Sequence, residues 1–189
     1  MPNGAAFELL TLGHYSELGR SPIPYLTYDG ALEKMIRHQP FGWPINRANW
    51  KQGGLGVSGF ARNLFWHVST SLQVDADRDQ LVFYSALGAQ LDVLHGVDCF
   101  FLCRRTRVTI DVSAYLKFWP ELVADFCLYP KIVEQPATQT KKFGDLVGWL
   151  LNEKLAGRLA DDWRASHLYD QSEVEAGLPN RQRRPLVRI

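Results

Sequence analysis

Apolar and polar residues alternate most cleanly between Arg107 and Ser113, where Arg107, Thr109, Asp111 and Ser113 fall on one side and Val108, Ile110 and Val112 on the other. That period of two predicts a half-buried β-strand. The preceding run, Val97 to Cys103, is almost wholly apolar and predicts a second strand, so Gly96–Ser113 reads as a hairpin turning at Arg104 and Arg105. Each strand carries one aspartate, Asp98 and Asp111, a residue poorly suited to strand interiors. A two-residue loop, or a four-residue loop in the same register, sets the two acids opposite each other. A three-residue loop throws them onto opposite faces. Opposed carboxylates have Cβ atoms roughly 4.5–5.5 Å apart and repel unless something compensates them. A hard divalent cation turns that repulsion into coordination.

Longer periods mark the helices. Leu81, Tyr84, Ala86, Leu87 and Leu91 form a stripe of helical spacing within Asp75–Gly96, with Asp75 or Asp77 as cap and Asp79 near the first turn. Phe143, Leu146, Val147, Leu150, Leu151 and Leu155 do the same for a helix over Lys141–Leu159. Ser58 is placed to cap a helix through Ala61–Ser71, and Ala31–His38 makes a short one. A third strand-like run lies in Glu121–Pro130. Residues 1–57 are broken by Pro22, Pro24, Pro40 and Pro44 and read as an irregular, aromatic-rich extension. Lys51–Phe60 has four glycines but lacks the Gly-Lys-Ser/Thr of a phosphate-binding loop, so it reads as a connector. Residues 161–189 form a polar, basic tail. One domain is expected over 1–189, with its core at 58–160.

Composition adds bounds rather than direction. The net charge of +1 supplies no global pull toward polyanions, and 46% hydrophobic with 22% charged residues is ordinary for a globular protein. Basic residues cluster locally at Arg104, Arg105 and Arg107 and at Arg181, Arg183, Arg184 and Arg188. The three cysteines, Cys99, Cys103 and Cys127, lack zinc-type spacing and read as buried, reduced thiols. The absence of a charged-then-apolar leader and of a long apolar run predicts a cytoplasmic protein with no membrane partner, or a virion-associated one if it is of phage origin.

Helix, strand with an acid, strand with a second acid, third strand, then helix is an order similar to the PD-(D/E)xK nuclease core. The phrase HGVDCFF…RVTIDVS resembles its divergent variants over roughly residues 75–160. The resemblance implies an α/β (α+β) restriction-endonuclease-like αβββαβ core, a mixed sheet flanked by helices. It implies that Asp98 and Asp111 hold Mg²⁺ or Mn²⁺ with Asp79 as the nearest third acid, and that DNA, rather than RNA, is cut. The motif lysine belongs two residues beyond Asp111, where this chain has Ser113. Lys117, Lys141 and Lys142 are the candidate replacements, Lys117 as the catalytic one. Arg104, Arg105, Lys141 and Lys142 are the expected phosphate contacts. Bland alternatives stand beside these: Asp98 as a turn cap next to Gly96, and Asp111 as an ion-pair partner of Arg107. The implied activity is a metal-dependent DNA nuclease in phage, plasmid or mobile-element biology. The other reading is an inactive descendant that binds nucleic acid or serves in assembly, its N-terminal extension meeting a protein partner.

Overall fold

The computed structural model describes residues 4–13, 25–40, 42–52, 56–115, 117, 123–133 and 136–160. The expected basic tail with its four arginines, and the place where the last strand of an αβββαβ core would follow, lie outside the described residues. In chain order the elements are α1 (Gly4–Leu12), α2 (Tyr28–Arg37), β1 (Ile45–Asn46), α3 (Gly59–Ser71), α4 (Asp75–Gln80), β2 (Leu81–Ser85), α5 (Gln90–His95), β3 (Cys99–Cys103), β4 (Thr106–Val112), β5 (Phe126–Leu128), α6 (Pro130–Val133) and α7 (Pro136–Leu155). The five strands form one mixed sheet in the order β1-β2-β3-β4-β5. The first four are antiparallel neighbours and β5 runs parallel to β4. A mixed α/β fold with a helix-flanked sheet is therefore as expected.

Alternate side chains of each strand feed two cores. Leu81, Phe83, Cys99, Phe101, Val108, Ile110 and Val112 meet α3 and α7 on one face. Tyr84, Phe100 and Cys127 meet α2 and α5 on the other. Registered cross-strand rings tie the centre together, with Phe83 stacked on Phe101 at 4.0 Å between centroids and Tyr84 on Phe100 at 4.9 Å.

Two expectations change. Asp75–Gly96 is not one helix: Leu81–Ser85 is a central strand between two short helices. A strand covered on both faces loses its alternation, which leaves an apolar run that also satisfies a helical stripe. Nor is the N-terminal third an irregular extension, since α2 covers one face of the sheet and β1 is its edge strand. Ser58 does cap α3, its Oγ accepting from Ala61 N at 3.0 Å. The long last helix also forms, from Pro136 to Leu155.

Two glycines one turn apart let α7 lie close on α3. A Cβ on Gly144 would fall 2.5 Å from the Cβ of His67, and one on Gly148 2.5 Å from the Cβ of Ser71. Polar bonds lock the same seam: Ser71 Oγ donates to Asp145 at 2.8 Å, and Asn152 Nδ2 to the Ser71 carbonyl at 2.9 Å.

Candidate active site

The hairpin turns through Arg104 and Arg105, with Arg104 in the left-handed region at φ 56°. This two-residue loop fixes Cys103 opposite Thr106 and Cys99 opposite Ile110. The ladder ends at Cys99–Ile110. Just outside β3, Asp98 N donates to the Ile110 carbonyl at 3.0 Å, one residue out of that register, so Asp98 lies beside Asp111 without being its registered partner. In β5, Cys127 lies beside Asp111. Asp111 and Cys127 are thus registered neighbours on the face that α5 covers, with Asp98 close beside them.

Both acids are almost wholly buried, Asp98 at 3% and Asp111 at 5% exposure. Val112 N donates to Asp98 Oδ2. Lys117 Nζ donates to Asp111 Oδ1 at 2.9 Å, closing an ion pair with a quarter of the lysine side chain still exposed. The other oxygen, Asp111 Oδ2, is buried without a hydrogen-bond partner. Buried acceptors are nearly always satisfied, so an orphan inside an acidic cluster is the kind of atom a cation completes. Asp92, in the first turn of α5, is the third acid; Gly88 N donates to its Oδ2 at 2.7 Å.

The electrostatics follow from crowding. Burial, then the nearby charge of Asp92, pushes the Asp98 carboxyl well above the usual carboxylate range, and the bond from Val112 only partly offsets this. Burial also raises Asp92. A side-chain hydrogen bond between the two acids adds to the rise of Asp98 and lowers Asp92. For Lys117, burial pulls downward, but the hydrogen bond and charge of Asp111 outweigh it and raise the ammonium. The Cys127 thiol is pushed up to about 12, chiefly by burial. All three cysteines are free and buried, so none is set up as a nucleophile.

Other expected members fall elsewhere. Asp79 lies at the opposite end of the sheet in an exposed pair with Arg47, far from Asp98 because the five residues of β3 intervene. It is therefore not a third ligand in this arrangement. Arg104 and Arg105 sit at that same far end, and Arg104 is paired with buried Asp77 at 2.6 Å. Lys141 and Lys142 lie on α7, across the sheet from the acids, and Lys141 is paired with Asp145 at 2.6 Å. Ser113 occupies the motif-lysine place, and its Oγ accepts from Tyr115 N at 3.4 Å. His95 closes α5 against the Leu26 carbonyl at 3.0 Å. Arg107, the alternative partner for Asp111, instead lies 5.2 Å over the Tyr28 ring and 3.8 Å from Asp29.

Asp92 escaped the sequence reading because it lay inside a supposed continuous helix. Gly88 was the usable signal, a break between the Leu81–Ser85 run and a new helix start. Among the described residues, no group of three or more His, Cys, Asp or Glu side chains is already arranged as a metal cage. No helix among them is long and apolar enough to cross a membrane. Comparison with protein-family models, with curated proteins and with solved structures finds no match to this chain.

Proposed function

We propose that this chain is a divalent-metal-dependent nuclease that cuts DNA phosphodiester bonds from a divergent PD-(D/E)xK-type, restriction-endonuclease-like core. One observation carries the reading: the Lys117 ammonium lies 2.9 Å from Asp111 Oδ1, and the buried Asp98, just outside β3, lies beside Asp111. Two acids and a lysine thereby meet although the lysine is missing from its usual place.

The residues fit a Mg²⁺ or Mn²⁺ ion. Asp98 and Asp111 would hold it, the free Oδ2 of Asp111 being available, with Asp92 as their helix-borne neighbour. When bound, such an ion acts as a Lewis acid on the scissile phosphate and makes its bound water a better nucleophile. The chain's own groups do the rest. Asp98 gives up its proton on loading, so binding weakens as pH falls. Lys117, held protonated by Asp111, acts as a fixed cation beside the phosphate rather than as a base. The deep position of the acids keeps their field unscreened.

The test is cleavage of single-stranded, linear duplex and supercoiled DNA with Mg²⁺ or Mn²⁺. Wild type should cut at least one form, and Asp111→Ala and Lys117→Met should lose the activity. Absence of cleavage together with no metal-dependent thermal shift overturns the proposal. A second reading, an inactive nucleic-acid-binding or assembly protein on the same fold, then takes its place. It is favoured by Ser113 standing in the motif-lysine place, its Oγ accepting from Tyr115 N.

A further inference from the structure

A second constellation lies at the far end of the sheet, on the outer side of α3. The turn after β1 is pinned by Asn49, whose Oδ1 accepts from Asn46 N at 2.8 Å and whose Nδ2 donates to the Pro44 carbonyl at 2.8 Å. That turn presents Arg47, Trp50 and Lys51 toward the helix. Trp50 stacks on Trp66 of α3, with centroids 4.6 Å apart and planes 19° from parallel. The Lys51 ammonium stands 5.4 Å over the Trp50 ring. Together with Thr70 and Arg78 these side chains line a cavity of about 620 Å³.

The lining combines three cations with two indoles and has no carboxylate of its own. Trp66 remains 44% exposed. Arg78 is held in place by two bonds to the Leu72 carbonyl, at 3.1 and 2.8 Å, and pairs with the exposed Asp75 at 2.8 Å. Arg47 is committed only to Asp79, in a pair exposed on both sides. Exposed pairs of that kind contribute little, so the guanidinium can turn to another anion at small cost. A ligand matching this lining has a flat aromatic face next to a strong anion. Nucleotides have both, and the bases of a single strand have free faces where those of a duplex are already stacked. An acidic peptide would use the cations and leave the indoles idle.

We propose that the Trp50–Trp66 pocket binds single-stranded nucleic acid, one base extending the indole stack and the flanking phosphates meeting Arg47, Lys51 and Arg78. This site does not depend on the acids Asp92, Asp98 and Asp111, which lie at the other end of the sheet and on its other face.

The experiment is a titration with fluorescein-labelled oligothymidylate in EDTA, read by anisotropy and by tryptophan quenching. The same titration is repeated with dTMP, with a duplex of equal length and with poly-glutamate as competitor. Saturable quenching is expected, strongest with the single strand and weaker with dTMP and with duplex. Trp66→Ala should weaken binding roughly tenfold, the usual scale for losing one base–aromatic stack. Lys51→Gln should lower the slope of log affinity against log salt by about one. Should Trp66→Ala fail to fold, Lys51→Gln decides, an unchanged affinity and salt slope overturning the proposal. It is equally overturned by no binding, by Trp66→Ala within about twofold of wild type, or by poly-glutamate displacing the strand as well as unlabelled oligonucleotide does. That last result would mark an acidic-protein surface instead.

Discussion

Asparagine at position 98 copies the protonated form of Asp98. Its Oδ1 can accept from Val112 N–H, and its Nδ2 can donate to Asp92. What Asp98→Asn removes is the option of a charge. In wild type the folded carboxyl titrates well above the unfolded value of about 3.9. Its contribution to stability is therefore complete below that unfolded value and is lost as pH rises through the folded one. One extra bound proton makes the loss at most about 1.4 kcal/mol per pH unit. The ceiling comes from placing a second charge beside Asp92, with Asp111 near. Unit charges about 5 Å apart repel by roughly 3 kcal/mol at an effective dielectric constant near 20, and the Lys117 ammonium relieves part of this. Metal-free Asp98→Asn should accordingly match wild type near pH 4 and exceed it by about 1–3 kcal/mol at pH 8. For a chain of this size that is a gain of some 2–4 °C in Tm per kcal/mol. Urea unfolding in EDTA at both pH values measures the difference. Added Mn²⁺ should raise the Tm of wild type and leave the variant unmoved, because a ligand that binds only the folded state stabilises it. A variant less stable than wild type by 1 kcal/mol or more at pH 8 refutes the reasoning, for the Asp98 charge would then be a stabilising one.

Further predictions concern the framework. Gly148→Ala should destabilise by about 1–3 kcal/mol in urea, although alanine in an open helix gains roughly 0.5–1, because its Cβ would meet that of Ser71 at 2.5 Å; a neutral result would show the helices free to separate. Leu150→Asp puts a charge at a position with no solvent exposure and should cost at least about 4 kcal/mol by calorimetry, whereas a change under about 0.5 would place Leu150 at the surface. Lys154 is buried 3.3 Å from Asp125, so Lys154→Met should cost roughly 3 kcal/mol. Adding Asp125→Asn should recover most of that loss, and a double variant no better than the single one contradicts a charge origin.

The hairpin was legible from sequence because β4 buries its two faces unequally in character, keeping Thr109 and Asp111 opposite Val108 and Ile110, and because Arg104–Arg105 permits a two-residue loop. The turn brings Asp98 beside Asp111 as expected, but Asp98 sits one residue out of the ladder and is not its registered partner. Lys117 was within reach by chain length, six residues past Asp111. The strand Leu81–Ser85 was not legible, since its residues are buried or half-buried on both faces and so lack alternation. Losing that strand hid Asp92 and misplaced Asp79. Lys141 and Lys142 were assigned to the wrong face because periodicity gives the inward side of a helix but not which layer of the sheet it covers. The pairing of Trp50 with Trp66 depends on how the turn after β1 folds over α3, and no local pattern encodes that.

The close seam between α3 and α7 has a mechanical consequence. His67 and Ser71 form the surface on which the two glycines rest, and Trp66 and Thr70 each precede one of them. A single residue turns the helix by about 100°, so the seam and the pocket occupy adjoining faces of one rod. Any substitution that pushes α7 outward displaces the floor of the indole pocket along with it. The seam therefore acts as a datum for a surface it never touches. Variation that retunes the pocket is tolerated on the turn carrying Arg47, Trp50 and Lys51 more readily than on α3, where each change is felt on both sides of the helix.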